Sequence, residues 1–337
     1  MQGVVVNRFL WYYRKMKEFA IGKNDAGQRL DRFVSKNAPL LPPSLVQKYI
    51  RLKRIKVGGK GSKRDYKLSE GDNVQMYVND EFFEAGGRAA PAPGDSFPQM
   101  RQLDIVYEDG NIVLINKEAG VLCHSDGDYD YSSIVSRLQA HARTRGDWDP
   151  EAENSFAPAL CNRIDRNTSG IVIAAKNAEA LRIINEKIKD REIDKYYLAA
   201  VHGAPDPPAG TLEGHIFKDS VKNTVYVSRA SKPGTKYAAT EYRTLKTAGS
   251  LALLECRLIT GRTHQIRAQL ATAGHPLLGD GKYGSERLNK QYGEKVQALC
   301  SHKVRFSFSG GAGALEYLAG KTFSVPDPPF AGKWFAP

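Results

Sequence analysis

Apolar positions change their spacing along the chain. Between Gly27 and Val57 they recur every three or four residues, at Leu30, Phe33 and Val34 and again at Leu45, Tyr49 and Leu52, the period of helices with one buried face. Pro42 and Pro43 separate two such helices, and Ser44 is placed to cap the second. With its apolar side inward, that helix leaves Gln47, Lys48 and Arg51 on its open side. Gly58-Gly59 predicts a turn and Val74 to Val78 a short strand, completing a small α/β unit over 16–80.

The flanks of this unit read differently. In residues 1–15, Arg8 interrupts the apolar run, and Arg14, Lys15 and Lys17 occupy the place of a leader's cleavage site, so an extension outside the fold is expected, with Met16 as the natural start. Residues 81–100 carry Gly86, Gly87, Pro91, Pro93, Gly94 and Pro98 among small residues without periodic apolar positions, the composition of a flexible linker.

From residue 101 to 330 the pattern shifts to short β-rich runs. Asp104 to Lys117 predicts a hairpin turning at Asp109-Gly110. Strands are expected after Ser169 and over 195–203, 222–229, 236–246 and 251–260. Helices are expected over 132–145, after Asn177 as its cap, and from Thr263 to Gly274 with Ile266 and Leu270 inward. Many consecutive strands with few helices predict an α+β domain around a mainly antiparallel sheet. No G-x-G-x-x-G follows a strand, and the AGKT at 319–322 has Leu315 where a phosphate loop has glycine, so nucleotide-cradling loops are excluded.

Charge narrows the partner. Lys and Arg number 49 against 37 Asp and Glu, a net +12. Nine of the basic residues lie between Lys48 and Lys67, with Asp65 the one acid among them. A polyanion is therefore the expected partner, and the basic run is interleaved with a helix–turn–strand pattern rather than a tail. The G-Q-R-L-D-R-F of 27–33 followed by this basic helix resembles the S4-type RNA-binding module. Cys123, Cys161, Cys256 and Cys300 stand far apart with no C-x-x-C, so neither a disulfide framework nor a Cys-rich zinc site is expected, and a reducing cytoplasm fits. No run approaches roughly 18 apolar residues, so no membrane helix is expected.

Three clusters carry candidate chemistry. Asp165, in Arg163-Ile164-Asp165-Arg166-Asn167-Thr168-Ser169-Gly170, lies on a polar loop feeding a buried strand, and a neighbouring guanidinium favours the ionised form of a carboxylate. The competing reading has Asp165 capping a turn while the arginines face a polyanion. Tyr196 and Tyr197 begin a strand on opposite faces, so one of them can face a cleft. In Gly261-Arg262-Thr263-His264-Gln265-Ile266-Arg267 the polar groups share one end of a helix, and a Gly-rich loop with Asp280 and Tyr283 follows. His264 can be a general base or a structural hydrogen-bonder. No spacing suits a metal, and Cys300-x-His302 is too sparse for zinc.

Four stretches in order, YEDGNIVLINKEAGVLCH, NRIDRNTSGIVIAAKN, KYYLAAVHG and GRTHQIRAQLATAGHPLLGDGKY, resemble the RluA-type pseudouridine synthase family over about residues 102–310. With an S4-type module in front, the arrangement is similar to the large-subunit ribosomal RNA branch. The resemblance implies a pseudouridine synthase fold with a cleft across the sheet, Asp165 as catalytic aspartate, Tyr197 stacked on the target base, and Arg267 paired with the aspartate. It implies RNA contacts at Arg163, with Arg166, Arg262, His264 and Gln265 as further candidates. Ser44, Gln47, Lys48, Arg51, Lys53 and Arg54 are the candidates in the first module. Three positions depart from the family pattern: Asn162 and Gln269 stand where histidine is usual, and Glu118 where proline is usual.

The implied reaction isomerises uridine by breaking the glycosidic bond, turning the base and rejoining it through carbon 5. It needs no cofactor, metal or group donor, and none is expected. The expected partner is RNA, 23S ribosomal RNA first, acted on by a monomer. The competing functions are a non-catalytic RNA-binding or ribosome-assembly protein and a synthase acting on transfer RNA. An RNA-directed hydrolase is weaker, since it would normally show a second carboxylate beside Asp165.

Overall fold

The computed structural model describes residues 16–83, 102–125 and 132–336. The expected extension over 1–15 and nearly all of the expected linker over 81–100 lie outside the described residues. The chain divides into two compact units, each described by itself below.

In the first unit β1 (Met16–Ala20) pairs with β4 (Asn73–Tyr77), which pairs with β2 (Ile55–Val57), which pairs with β3 (Lys60–Gly61), all antiparallel. Helices α1 (Leu30–Asn37) and α2 (Pro43–Arg51) complete it. Leu30, Phe33, Val34, Val46, Ile50, Ile55, Val74 and Met76 form its core.

Two details of α2 differ from expectation. The helix begins at Pro43, and Ser44 makes no capping bond: proline in the first turn has its φ preset and no N–H to satisfy. The buried positions are Val46 and Ile50, with Leu45 and Tyr49 only partly covered, while Leu52 falls at the helix end and is 55% exposed. The open side is as the periodicity predicts, with Gln47, Lys48 and Arg51 exposed.

Ala142–Ala157 also belongs to this first unit, unlike the uninterrupted stretch from 101 to 330 expected of the second. Asp25, 1% exposed, accepts hydrogen bonds from the side chains of Asn154 (2.8 Å) and Ser155. Asn154 also donates to the Ala20 carbonyl at 2.7 Å, and Gln28 donates to Ser155 at 2.8 Å. The segment answers a buried carboxylate's need for donors, which no local pattern announces.

The second unit is built on one large sheet. Its strands are β5 (Ile105–Glu108), β6 (Ile112–Lys117), β7 (Ala159–Leu160), β8 (Ser169–Ala175), β9 (Ile193–His202), β10 (Ala209–Asp219), β11 (Thr224–Ser228), β12 (Lys236–Ala248), β13 (Leu251–Leu258), β14 (Leu299–Phe306) and β15 (Thr322–Ser324). They run in the order β11-β10-β12-β13-β9-β14-β8-β6-β5, with β7 on β8 and β15 on β14. Among these pairings only β14 with β8 is parallel, so the mainly antiparallel α+β fold predicted from the pattern is borne out. At that junction Gly170, φ +102°, is indispensable, because a Cβ there would overlap the main chain of Ser301.

Helices α3 (Ile134–Thr144, whose residues from Ala142 on count with the first unit), α4 (Ala178–Lys189), α5 (Gln265–Thr272), α6 (Glu286–Tyr292) and α7 (Pro329–Phe335) accompany the sheet. Asn177 caps α4 as expected, its side chain accepting from the Ala180 N–H at 2.8 Å. Ile171, Ile173, Ile184, Val304 and Phe306 pack together in one cluster. Val172, Ala199, Leu254, Ile266 and Leu270 pack in another, which positions the site. No described helix is long and apolar enough to cross a membrane.

Candidate active site

The Asp165 loop joins β7 to β8 and is pinned from both sides. Buried Ile164 exchanges two bonds with Cys123: its N–H donates to Sγ at 3.5 Å, and the thiol donates to its carbonyl at 3.4 Å. The Thr168 N–H closes a turn on the Asp165 carbonyl at 3.1 Å, and the Thr168 hydroxyl accepts from Gln297 at 2.8 Å. Fully buried Lys117, at the end of β6, donates to the carbonyls of Glu118, Val121 and Arg166 at 2.8–2.9 Å. Burial pulls the Lys117 ammonium down to about 8, against the opposing charges of Cys123, Asp165 and Glu118.

Arg267, on α5, bridges two carboxylates. Its Nη1 donates to Asp165 Oδ2 at 2.8 Å, while Nε and Nη2 grip the two oxygens of Asp280 at 2.8 and 3.0 Å. Asp280 is fully buried and also accepts the backbone N–H groups of Lys282 and Tyr283 at 2.8 and 3.1 Å. Burial alone would raise its carboxyl, but the Arg267 bonds and charge outweigh it and hold it low. For Arg267 burial likewise opposes the charge, and the two carboxylates raise it overall. A planar guanidinium held bidentately on one side has a single direction left for Nη1. Asp165, by contrast, is 26% exposed, open to a substrate.

The remaining candidates fall into groups. Tyr197 on β9 is 6% exposed, its ring enclosed beside Ile164, Cys123 and Val172. Burial pushes its phenol up, against a Ser301 hydrogen bond and helped by Asp165, so the hydroxyl stays protonated at neutral pH. Tyr196, on the other face, lies under the Lys303 ammonium at 4.3 Å. Arg163 and Arg166 are exposed on the Asp165 loop, and Arg262 is exposed while its Nε donates to the Tyr237 carbonyl at 3.2 Å. His264 precedes α5 with φ +51°, a left-handed conformation costing a non-glycine residue about 1–3 kcal/mol. Its Nε2 is 3.9 Å from Asp165 Oδ2.

Gln265 corrects the expectation of an RNA contact. It is 3% exposed, its Oε1 accepts from Thr260 and the Arg262 N–H, and its Nε2 donates to Ala239 and Thr240. Both polar groups of its side chain are spent inside the protein, Nε2 fastening α5 to β12 and Oε1 holding the segment between β13 and α5. Two of the three departures from the family pattern, Asn162 and Gln269, are equally structural. Asn162 accepts the Ile173 N–H at 2.8 Å, and Gln269 ties α5 to the carbonyls of Leu212 and Ala238 and to the Thr240 hydroxyl.

In the first unit, exposed Ser44, Gln47, Lys48, Arg51 and Lys53 border adjoining open grooves, one of about 570 Å³, completed by Ser62, Lys63 and Arg64. Arg54 is half-committed elsewhere, its Nε on the Tyr77 carbonyl at 3.1 Å and its guanidinium over the Tyr49 ring. Among the described residues no cluster of three or more His, Cys, Asp or Glu side chains is placed to hold a metal ion.

The sequence singles out Asp280 and Tyr283 on their Gly-rich loop but gives neither a role; the contacts with Arg267 and His264 supply one. Glycine at 284 lets that loop fold tightly enough that the Gly284 N–H returns to the Asp280 carbonyl at 3.0 Å.

Residues 111–272 match the family model for RNA pseudouridylate synthase. The chain is 30% identical over 293 residues to ribosomal large subunit pseudouridine synthase C of Vibrio cholerae, covering 86% of this chain and 87% of that one. It is 28% identical over 283 residues to the uncharacterized RNA pseudouridine synthase YlyB of Bacillus subtilis, covering 83% and 87%. The solved structure of human RNA pseudouridylate synthase domain containing 4 shares the fold, with a TM-score of 0.52 and 24% identity over 67% of this chain and 89% of that one.

Proposed function

The chain belongs to the RNA pseudouridylate synthase family, whose members are isomerases, and from that premise we propose that it converts specific uridines of large-subunit ribosomal RNA to pseudouridine. The observation that carries the reading is the Asp165 carboxylate, quarter-exposed and held at 2.8 Å by an arginine that a second, buried aspartate fixes from behind.

Uridine must leave its stack to reach such a group, at a cost of a few kcal/mol. Stacking on the uncovered part of Tyr197 offsets part of that, about 1–3 kcal/mol for a full aromatic contact. Asp165 then acts as an anion, by attack at the anomeric carbon or by taking a proton from the neighbouring ribose carbon. In either route Arg267 aims Oδ2, while Oδ1 carries no hydrogen bond among the described residues and is the oxygen available for the reaction. Burial raises the Tyr197 phenol, and the part of its ring left uncovered serves as a platform for the base. Arg163, Arg166 and Arg262 supply cations for the RNA backbone around the extruded nucleotide.

The first unit serves as an S4-type RNA grip, because its cations line open grooves and Lys48, Arg51, Lys53, Lys63 and Arg64 form no ion pair among the described residues. The relatives' ribosomal RNA substrate and the basic charge support a cytoplasmic enzyme, and a site completed by one chain supports a monomer. A non-catalytic RNA-binding protein would have no use for the Asp165–Arg267–Asp280 chain. The test is to map uridine isomers across ribosomal and transfer RNA from a strain lacking the gene, and to restore them with purified protein. Loss at defined large-subunit uridines is expected; loss confined to transfer RNA, or none, overturns the assignment.

A further inference from the structure

We propose that His264 reads the ribose of the target nucleotide: its Nε2–H and Asp165 Oδ2 together hold the 2′-hydroxyl of the extruded uridine. His264 thereby distinguishes RNA from DNA at the reacting position. The inference rests on the synthase reading above and adds a contact within that site.

His264 is held in a left-handed conformation although its side chain caps no N–H of the helix it precedes. Its placement must therefore be secured by other contacts. Nδ1 lies 2.9 Å from the Tyr283 hydroxyl, and the ring stands edge-on to Tyr283 with centroids 5.6 Å apart. The Tyr283 oxygen accepts the Val225 N–H at 2.8 Å, and we assign its own proton to Nδ1. That fixes the tautomer: Nδ1 accepts, and the ring proton sits on Nε2, facing Asp165. The opposite tautomer would point a lone pair at a carboxylate. Burial keeps the imidazole neutral against the pull of Asp165, with Arg267 and Lys282 acting in the same direction as burial and Asp280 opposing.

The gap itself names the ligand. Nε2 and Oδ2 are 3.9 Å apart, too far for a bond, yet one oxygen at about 2.8 Å from each spans the distance. The bridging group must accept from Nε2–H and donate to the carboxylate. A hydroxyl does both, and the 2′-hydroxyl is the ribose group beside either proposed reacting carbon. DNA has none.

The test crosses protein with substrate. Wild type, His264→Asn, His264→Gln and Tyr283→Phe are measured on the shortest large-subunit ribosomal RNA fragment that the wild type isomerises. The target nucleotide is uridine or 2′-deoxyuridine, with affinity read by competition and rate by single turnover. Wild-type turnover on the ribose form reports the synthase reading separately. We expect the wild type to favour the ribose form about 5- to 10-fold in affinity, the range of one hydrogen bond with a buried partner. Asparagine tolerates the left-handed backbone but is too short to reach, so His264→Asn abolishes that ratio while binding the deoxy form as well as wild type does. Glutamine retains part of the ratio, and Tyr283→Phe reduces it. If His264→Asn weakens both RNAs by the same factor and the ratio survives, the assignment is overturned.

Discussion

The two units handle charge in opposite ways. Around Asp165 three charged side chains are bonded to one another, and the fully buried one, Asp280, never meets a ligand. On the first unit the cations of α2 and the loop after it stand exposed along open grooves. Buried pairs fix direction and fail as a set, because removing one partner strands the other. Exposed cations act through their number, each contributing little and being screened by salt.

Removing the carboxylate itself breaks the comparison most sharply. Asp165→Asn should lower turnover by about 10⁴-fold or more, as loss of a central catalytic group does. RNA affinity should stay within a few-fold, since many other contacts supply it. Single-turnover kinetics beside filter binding measures both, and residual turnover near wild type would remove Asp165 from its role.

Asp280→Asn tests whether a group that touches no substrate governs the one that does. By analogy with carboxylates that orient metal ligands, loss of this one should cost about 10–100-fold, here expected in kcat with KM little changed. The melting midpoint should fall as well, because Arg267 keeps its charge in a buried site. An equal fall in KM and kcat would make Asp280 merely structural.

On the exposed side, Lys48→Ala with Arg51→Ala should leave kcat intact and flatten the salt dependence of RNA binding. If both meet phosphates, the log–log slope drops by roughly 1.5–2. An unchanged slope would move the RNA contact elsewhere.

The smallest effect concerns Lys117, whose value of about 8 lies below the ordinary 10.5. Between those values the unfolded chain binds more protons, so the lysine's contribution to stability is present above 10.5 and is lost as pH falls to about 8. Denaturant unfolding from pH 7 to 10 should show wild type gaining stability relative to Lys117→Met only above pH 8. A constant difference would mean that the ammonium titrates normally.

How much of this was legible depended on the range of each interaction. The hairpin at Asp109, the Asn177 cap and the open side of α2 follow from residues a few positions apart, and the structure has them. Strands β1, β10 and β14 escaped, since MKEFA, AGTLEGHIFKD and LCSHKVRF show weak alternation and owe their state to partners distant in sequence. The motifs carrying the family resemblance led to Asp165 and Arg267, 102 positions apart, which the fold brings to 2.8 Å. Gln265 was misjudged for the opposite reason: a polar residue in a functional motif looks like a contact until its four hydrogen bonds are found indoors.

The loan of Asn154 and Ser155 to Asp25 affects how the protein is born. Translation delivers residues 16–83 long before residue 155 leaves the exit tunnel, so the early module must wait with one acidic side chain hydrated rather than sealed. A truncated clone ending at 83 lacks the donors of Asn154 and Ser155, which a supplied 142–157 peptide carries.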